Sequence, residues 1–125
     1  MGLFDKILGN AGEVNHDKLV QEYGHLLISE EVIEMGFVLM RDVFMFTSHR
    51  LILIDKQGLT GKKIEMKSMP YKSVSRFSLE TAGTFDLDAE LKIWISSENI
   101  PSVSKKFSKG VDVYKVQRLL ASKTC

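Results

Sequence analysis

A mainly β domain is predicted: about seven antiparallel strands forming a partly open barrel, a C-terminal helix capping it, and helices ahead of the first strand. Three observations lead there. From residue 32 the apolar residues fall into short β-rich runs separated by turn residues. One run alternates without a break, setting Leu87, Ala89, Leu91, Ile93 and Ile95 against Asp86, Asp88, Glu90, Lys92 and Trp94, so one face is core and the other wet. At the end Val113, Val116, Leu119 and Leu120, with Tyr114 nearby, return to helical spacing. A single apolar helix stripe after a meander of strands buries itself best over an open end of the sheet.

The elements follow in order. Leu3, Phe4, Ile7 and Leu8 form a short amphipathic helix that stops near Gly9 and Gly12. Asn15 or Asp17 caps a second helix to about Leu27, with Leu19, Val20, Tyr23, Leu26 and Leu27 as its stripe. The segment "VIEMGFVLMRDVFMFTSHRLILIDKQG" holds three strands, broken at Arg41-Asp42 and Ser48-His49. A fourth run, Lys62 to Met69, ends at Pro70, which has no N–H for a ladder. The turn "PYKS" leads into Val74 to Thr81, with Phe77 and Leu79 on one face and Arg76 and Ser78 on the other. The alternating strand comes next, then a short one in "SVSKKFS", then the helix from Asp112. The organisation expected is a helical segment over 1–30 and a β domain over 31–125.

Composition narrows the function. A chain of 125 residues makes one ordinary domain and buries roughly two thirds of its unfolded surface without staples. No apolar run approaches the ~20 residues that span a bilayer. The single cysteine, Cys125, has no partner within the chain, and the start "MGLFDKILGN" lacks the features of a secretory signal, so a cytoplasmic location is expected. Seventeen basic against sixteen acidic residues is not the balance of a nucleic-acid binder. Electrostatic function has to come from local patches.

The stretch "DKQGLTGKK" carries glycines, a threonine and lysines like a phosphate loop, but its spacing is wrong. Only two residues separate Gly58 from Gly61, Lys63 stands where a hydroxyl would meet magnesium, and a strand follows instead of a helix. Between two strands it reads as a hairpin tip, with lysines on an exposed turn.

"TSHRLILIDKQGLTGKK", "PYKSVSRFSLETAGTFDLDAELKIWIS" and "VYKVQRLLA" resemble the bacterial pleckstrin-homology family over about Glu31 to Ala121. The resemblance implies a PH-like barrel, no catalytic activity, and a cyclic homo-oligomeric ring, for which a pentamer is the first guess. It also implies a hydrophilic surface, near the meeting of neighbouring protomers' strands, that receives a protein partner. Phosphoinositide binding does not carry over. The turn Met40-Arg41-Asp42-Val43 offers one arginine beside an aspartate, too little for a bis-phosphate headgroup.

Other constellations point to surfaces more than to chemistry. Asp86, Asp88 and Glu90 are about 7 Å apart in successive pairs along a strand, but no apolar wall raises a carboxyl pKa there and a straight strand spreads calcium ligands too widely. His16, His25, His49 and Cys125 lack zinc spacing, so neither metal nor cofactor is expected. Ser48-His49 reads as a turn serine beside a solvated histidine. Trp94 falls on the wet side of its strand and calls for cover, from a helix of the same chain or from a neighbouring protomer.

The expectation is therefore a noncatalytic ring-forming module whose partner surface includes Glu80, Asp86, Asp88, Glu90 and Lys92. Trp94, Phe44 and Phe46 are the interface candidates, on the runs Glu90–Ser96 and Val38–Thr47. The alternative is a peripheral membrane adaptor that contacts anionic lipid through Lys56, Lys62 and Lys63 together with the N-terminal helix.

Overall fold

A computed structural model of the chain describes residues 13–39, 42–58, 62–81, 89–107 and 111–125. The expected helix at Leu3 to Leu8, the turn residues Met40 and Arg41, the loop tip Leu59 to Gly61, and Asp86 and Asp88 lie outside the described residues. The chain divides into two compact units, Met1–Ser68 and Met69–Cys125.

In the first unit helix α1 spans His16–Tyr23, and the side chain of Asn15 caps it by accepting a hydrogen bond from the Asp17 N–H at 2.8 Å. The α-helix stops earlier than its apolar spacing predicts. Gly24 begins a single 3₁₀ turn, Gly24–Leu26, and Val20 faces solvent while Leu19 and Tyr23 are buried. Four strands follow in the order β1-β2-β3-β4: β1 Ile33–Leu39, β2 Asp42–Thr47, β3 Arg50–Gln57 and β4 Lys63–Pro70, the last crossing the division between units. In register, Phe37 lies opposite Phe44, Gly36 opposite Met45 and Met45 opposite Ile52.

β1, β2 and β3 are buried on both faces over most of their length, which accounts for their near-continuous apolar sequence. One face joins Leu19 and Tyr23 of α1 to Ile33, Val38, Val43, Met45, Ile52 and Ile54. Gly36 lets α1 lie close on β1, since a Cβ there would come within 2.6 Å of Leu19 Cδ1 and displace it. The edge of β1 is partly covered as well: Glu13 bridges to Phe37, and the Val14 N–H donates to the Gly36 carbonyl at 2.9 Å.

One buried ion pair ties the approach to β1 onto the β2–β3 turn. Arg50 donates from Nε to Glu31 Oε2 at 2.9 Å and from Nη2 to Oε1 at 3.0 Å. The Thr47 hydroxyl and the Ile28 N–H also donate to that carboxylate, and Arg50 further reaches the Leu26 carbonyl and Ser68 Oγ. Glu31 is 5% exposed, yet its hydrogen bonds to Arg50, helped by Thr47 and Ile28, outweigh desolvation and hold its carboxyl down at about 2.

The second unit opens with a 3₁₀ turn, Tyr71–Ser73, followed by β5 Val74–Thr81, β6 Ala89–Ile95 and β7 Val103–Phe107 in the order β5-β6-β7. Helix α2, Val113–Thr124, is capped by Asp112, whose side chain accepts from the Lys115 N–H. It buries Val116 and Leu120 and lies against β5 and the Tyr71–Ser73 turn. The described residues thus hold the seven strands and C-terminal helix that the periodicity predicts, the strands falling into two antiparallel sheets.

Candidate functional site

Strand pairing decides which polar residues become neighbours. β5 and β6 set Arg76 opposite Trp94, Ser78 opposite Lys92 and Glu80 opposite Glu90, while β6 and β7 set Lys92 opposite Ser104 and Glu90 opposite Lys106. Because side chains alternate across a sheet, all eight share one face. On the other face Ala89, Leu91, Ile93, Val103 and Phe107 are buried. The polar face is therefore the solvent side of the second sheet.

Its charges are segregated. Glu80 and Glu90 stand directly opposite each other, an unfavourable cross-strand arrangement that the Ser104 hydroxyl partly relieves by donating to Glu90 Oε2 at 2.6 Å. At the other end the Arg76 guanidinium lies over the Trp94 ring, 4.4 Å from its centroid. Trp94 Nε1 donates to the Asn99 carbonyl at 3.2 Å, fixing the indole against the turn after β6. That turn is held in several places: the Ser96 N–H reaches the Ser73 carbonyl, the Ser102 N–H the Ile93 carbonyl, and the Ser102 hydroxyl Glu98 Oε2. It presents Ile100, 77% exposed. Arg76 thus supplies part of the cover that Trp94 demands.

Of the residues named from sequence, Glu80, Glu90, Lys92 and Trp94 come together on this face; Asp86 and Asp88 are outside the described residues. Phe44 and Phe46 do not join them. Both are 0% exposed, their rings meet at a tilt with centroids 5.0 Å apart, and β2 is flanked by β1 and β3, so neither side chain offers surface to a neighbour. Lys62 and Lys63 are exposed at the start of β4, and Lys56 sits near the end of β3, where its N–H donates to Asp42 Oδ1 at 3.3 Å. Gly58, at φ 79°, has the positive dihedral that a hairpin turn needs.

The Ser48-His49 pair is, as expected, a turn serine beside an exposed histidine. Ser48 Oγ and His49 Nδ1 are 2.9 Å apart, and Ser48 Oγ also accepts from the Val32 N–H. The hydroxyl works as a turn staple between β1 and the β2–β3 connection. Sequence reasoning missed the parts played by Asn99 and Ser104, because both depend on register and turn geometry. It had placed Arg76 on the polar side of β5, but its position over Trp94 required the pairing of β5 with β6. No cluster of His, Cys, Asp or Glu suited to a metal ion occurs among the described residues, and no helix there is long and apolar enough to cross a membrane.

Comparison with known proteins places this geometry in a family. The family model described as Bacterial PH domain matches residues 2–124. The Bacillus subtilis (strain 168) protein YjqA is 53% identical over 122 residues, 98% of each chain. YozO of the same organism is 32% identical over 100 residues, 80% of this chain and 84% of its own. Among solved structures, a DUF1696 family protein with a pleckstrin-homology domain from Shewanella loihica PV-4 superposes with a TM-score of 0.82 at 49% identity, over 93% of this chain and 98% of that one. A pleckstrin homology domain from Shewanella amazonensis SB2B gives 0.75 at 47% identity, over 99% of both. With two antiparallel sheets, a C-terminal helix and a family match over nearly its whole length, the chain belongs to the bacterial PH-domain family.

Proposed function

We propose that the protein is a noncatalytic module that assembles as a closed homo-oligomeric ring, with five protomers as the first guess, and offers the solvent face of β5–β6–β7 to a protein partner. The observation that carries the partner surface is the joining of Glu80, Glu90 and Lys92 with a half-exposed Trp94 that is fixed by Arg76 and Asn99. Aromatic and arginine side chains set among separated charges suit protein recognition. The ring follows from sheet edges. Strands at the ends of two open sheets leave backbone groups that seek pairing, and pairing between different edges of successive copies closes as a ring or runs on as a filament.

The test joins two measurements. Light scattering on native protein should give a discrete multiple of the protomer mass. Capture from the native cell with the tagged protein should lose its partner when Glu90 and Lys92 are exchanged in charge (E90K, K92E), with the mass unchanged. Stable binding to anionic vesicles at physiological salt by a monomer, lost on replacing Lys56, Lys62 and Lys63, would instead establish the membrane-adaptor reading.

A further inference from the structure

The solvent face of β5–β6–β7 carries cations whose charge the described residues do not meet. Arg50 gives the contrast: its guanidinium is engaged by Glu31, the Leu26 carbonyl and Ser68. Arg76 is exposed and rests on the Trp94 ring, with no carboxylate in ion-pair range among the described residues. Lys92, half-buried on the middle strand between Ser78 and Ser104, forms no ion pair among them either. Glu90, the next residue on this face of β6, takes the Ser104 hydroxyl instead.

Register sets the spacing. Ser78 faces Lys92 across the ladder, with Cα atoms about 4.5–5.5 Å apart, and stands about 7 Å from Arg76 along β5. Arg76 and Lys92 are diagonal neighbours at about 7–8 Å, within reach of long side chains. A group lying over Ser78 can therefore be met by guanidinium, ammonium and hydroxyl together. The guanidinium is also steadied in advance, because the indole beneath it is tied through Nε1 to the Asn99 carbonyl. Held on an aromatic face, it keeps an N–H edge for a planar oxyanion.

Charge selects which oxyanion. Glu80 and Glu90 lie one row beyond Ser78 and Lys92, about 7 Å along the strands, so a phosphate dianion or an anionic membrane would meet repulsion on the same face. A single carboxylate matches the corner better. Asn99 is followed by Ile100, 77% exposed, which sets an apolar contact beside the indole.

We infer that the corner formed by Arg76, Ser78 and Lys92 receives a glutamate or aspartate side chain of the protein partner, with an apolar neighbour of that residue lying against Trp94 and Ile100. The inference rests on the partner-surface reading and gives the partner its chemistry.

Trp94 is the chain's one tryptophan, so fluorotryptophan labelling places a single reporter under Arg76. Fluorine NMR of the full-length protein at low salt follows titration with the end-blocked peptide Gly-Leu-Glu-Leu-Gly, with its Gln counterpart and with its phosphoserine counterpart. A saturable, salt-sensitive shift is expected with the Glu peptide, and binding at least about tenfold weaker with the Gln peptide. Arg76→Ala and Lys92→Met should each weaken the Glu peptide about tenfold while retaining a cooperative thermal transition. Arg76→Lys keeps the charge but not the planar fork and should still lose several-fold. Because changes at Arg76 alter the reporter's surroundings, calorimetry with the same peptide reads those variants. Equal affinity for the Glu and Gln peptides would overturn the inference, as would tighter binding of the phosphoserine peptide or Arg76-dependent binding of phosphatidylserine vesicles. No binding of any peptide, with partner capture still lost in the Glu90 and Lys92 charge exchange, would overturn the carboxylate corner and leave the partner surface standing. Failure of both would remove the surface reading as well.

Discussion

β2 and β4 belong to one sheet, yet their side chains meet opposite surroundings. In β2, Val43 to Thr47 are all buried, and the strand is flanked by neighbours on both sides. In β4 a charge stands at every second position from Lys63 to Lys67, and only Met69 is buried. The difference separates two meanings of an apolar residue in a strand. Phe44 is apolar because it fills the protomer's core, whereas Ile64 and Met66 are apolar on a strand that the protomer leaves uncovered. An apolar pattern alone does not say whether its cover comes from the same chain.

The sharpest way to break this comparison is to disturb the buried strand. Phe44→Ala should cost about 3–5 kcal/mol, because it removes a wholly buried ring that packs on Phe46. Denaturant unfolding measures this, and a cost below about 1 kcal/mol would mean that β2 is not core. Arg50→Ala should cost about 3 kcal/mol by leaving the Glu31 carboxylate buried without its guanidinium.

The same pair makes a statement about pH. Glu31 is held at about 2, below its ordinary 4.5, so its contribution is complete above 4.5 and fades as pH falls towards 2, when the unfolded chain takes up the proton first. Acid titrations of stability should therefore be less steep over that interval in Glu31→Gln than in the native protein. Parallel curves would contradict the assignment.

A smaller effect belongs to Gly36→Ala. Its new methyl group must push aside Leu19 Cδ1, and a loss of about 1–2 kcal/mol is expected in thermal or denaturant unfolding. The smallest belongs to Lys62→Ala at the exposed start of β4, which should change stability by less than about 0.5 kcal/mol and leave assembly intact.

Much of the fold was legible because its signals are local. The alternation from Ala89 to Ile95 gives β6 its buried and wet faces, and Asp112 followed by Val116 and Leu120 gives the capped C-terminal helix. The site was legible only in part. Glu90, Lys92 and Trp94 share a face because they alternate within one strand, but Glu80 joins them through the register of β5 on β6, which local periodicity does not contain. Phe44 and Phe46 mark the limit from the other side: an uncharged, aromatic strand suits an interface or a core equally, and the pairing of β2 with both neighbours decides for core.

The account turns on the claim that the protomer's exposed strand edges are satisfied by further copies of itself. Static light scattering on the native, full-length protein at micromolar concentration tests this most directly. A single species at an integral multiple of 14.1 kDa, with five as the first expectation, agrees with the account, whereas a stable monomer of 14.1 kDa contradicts it.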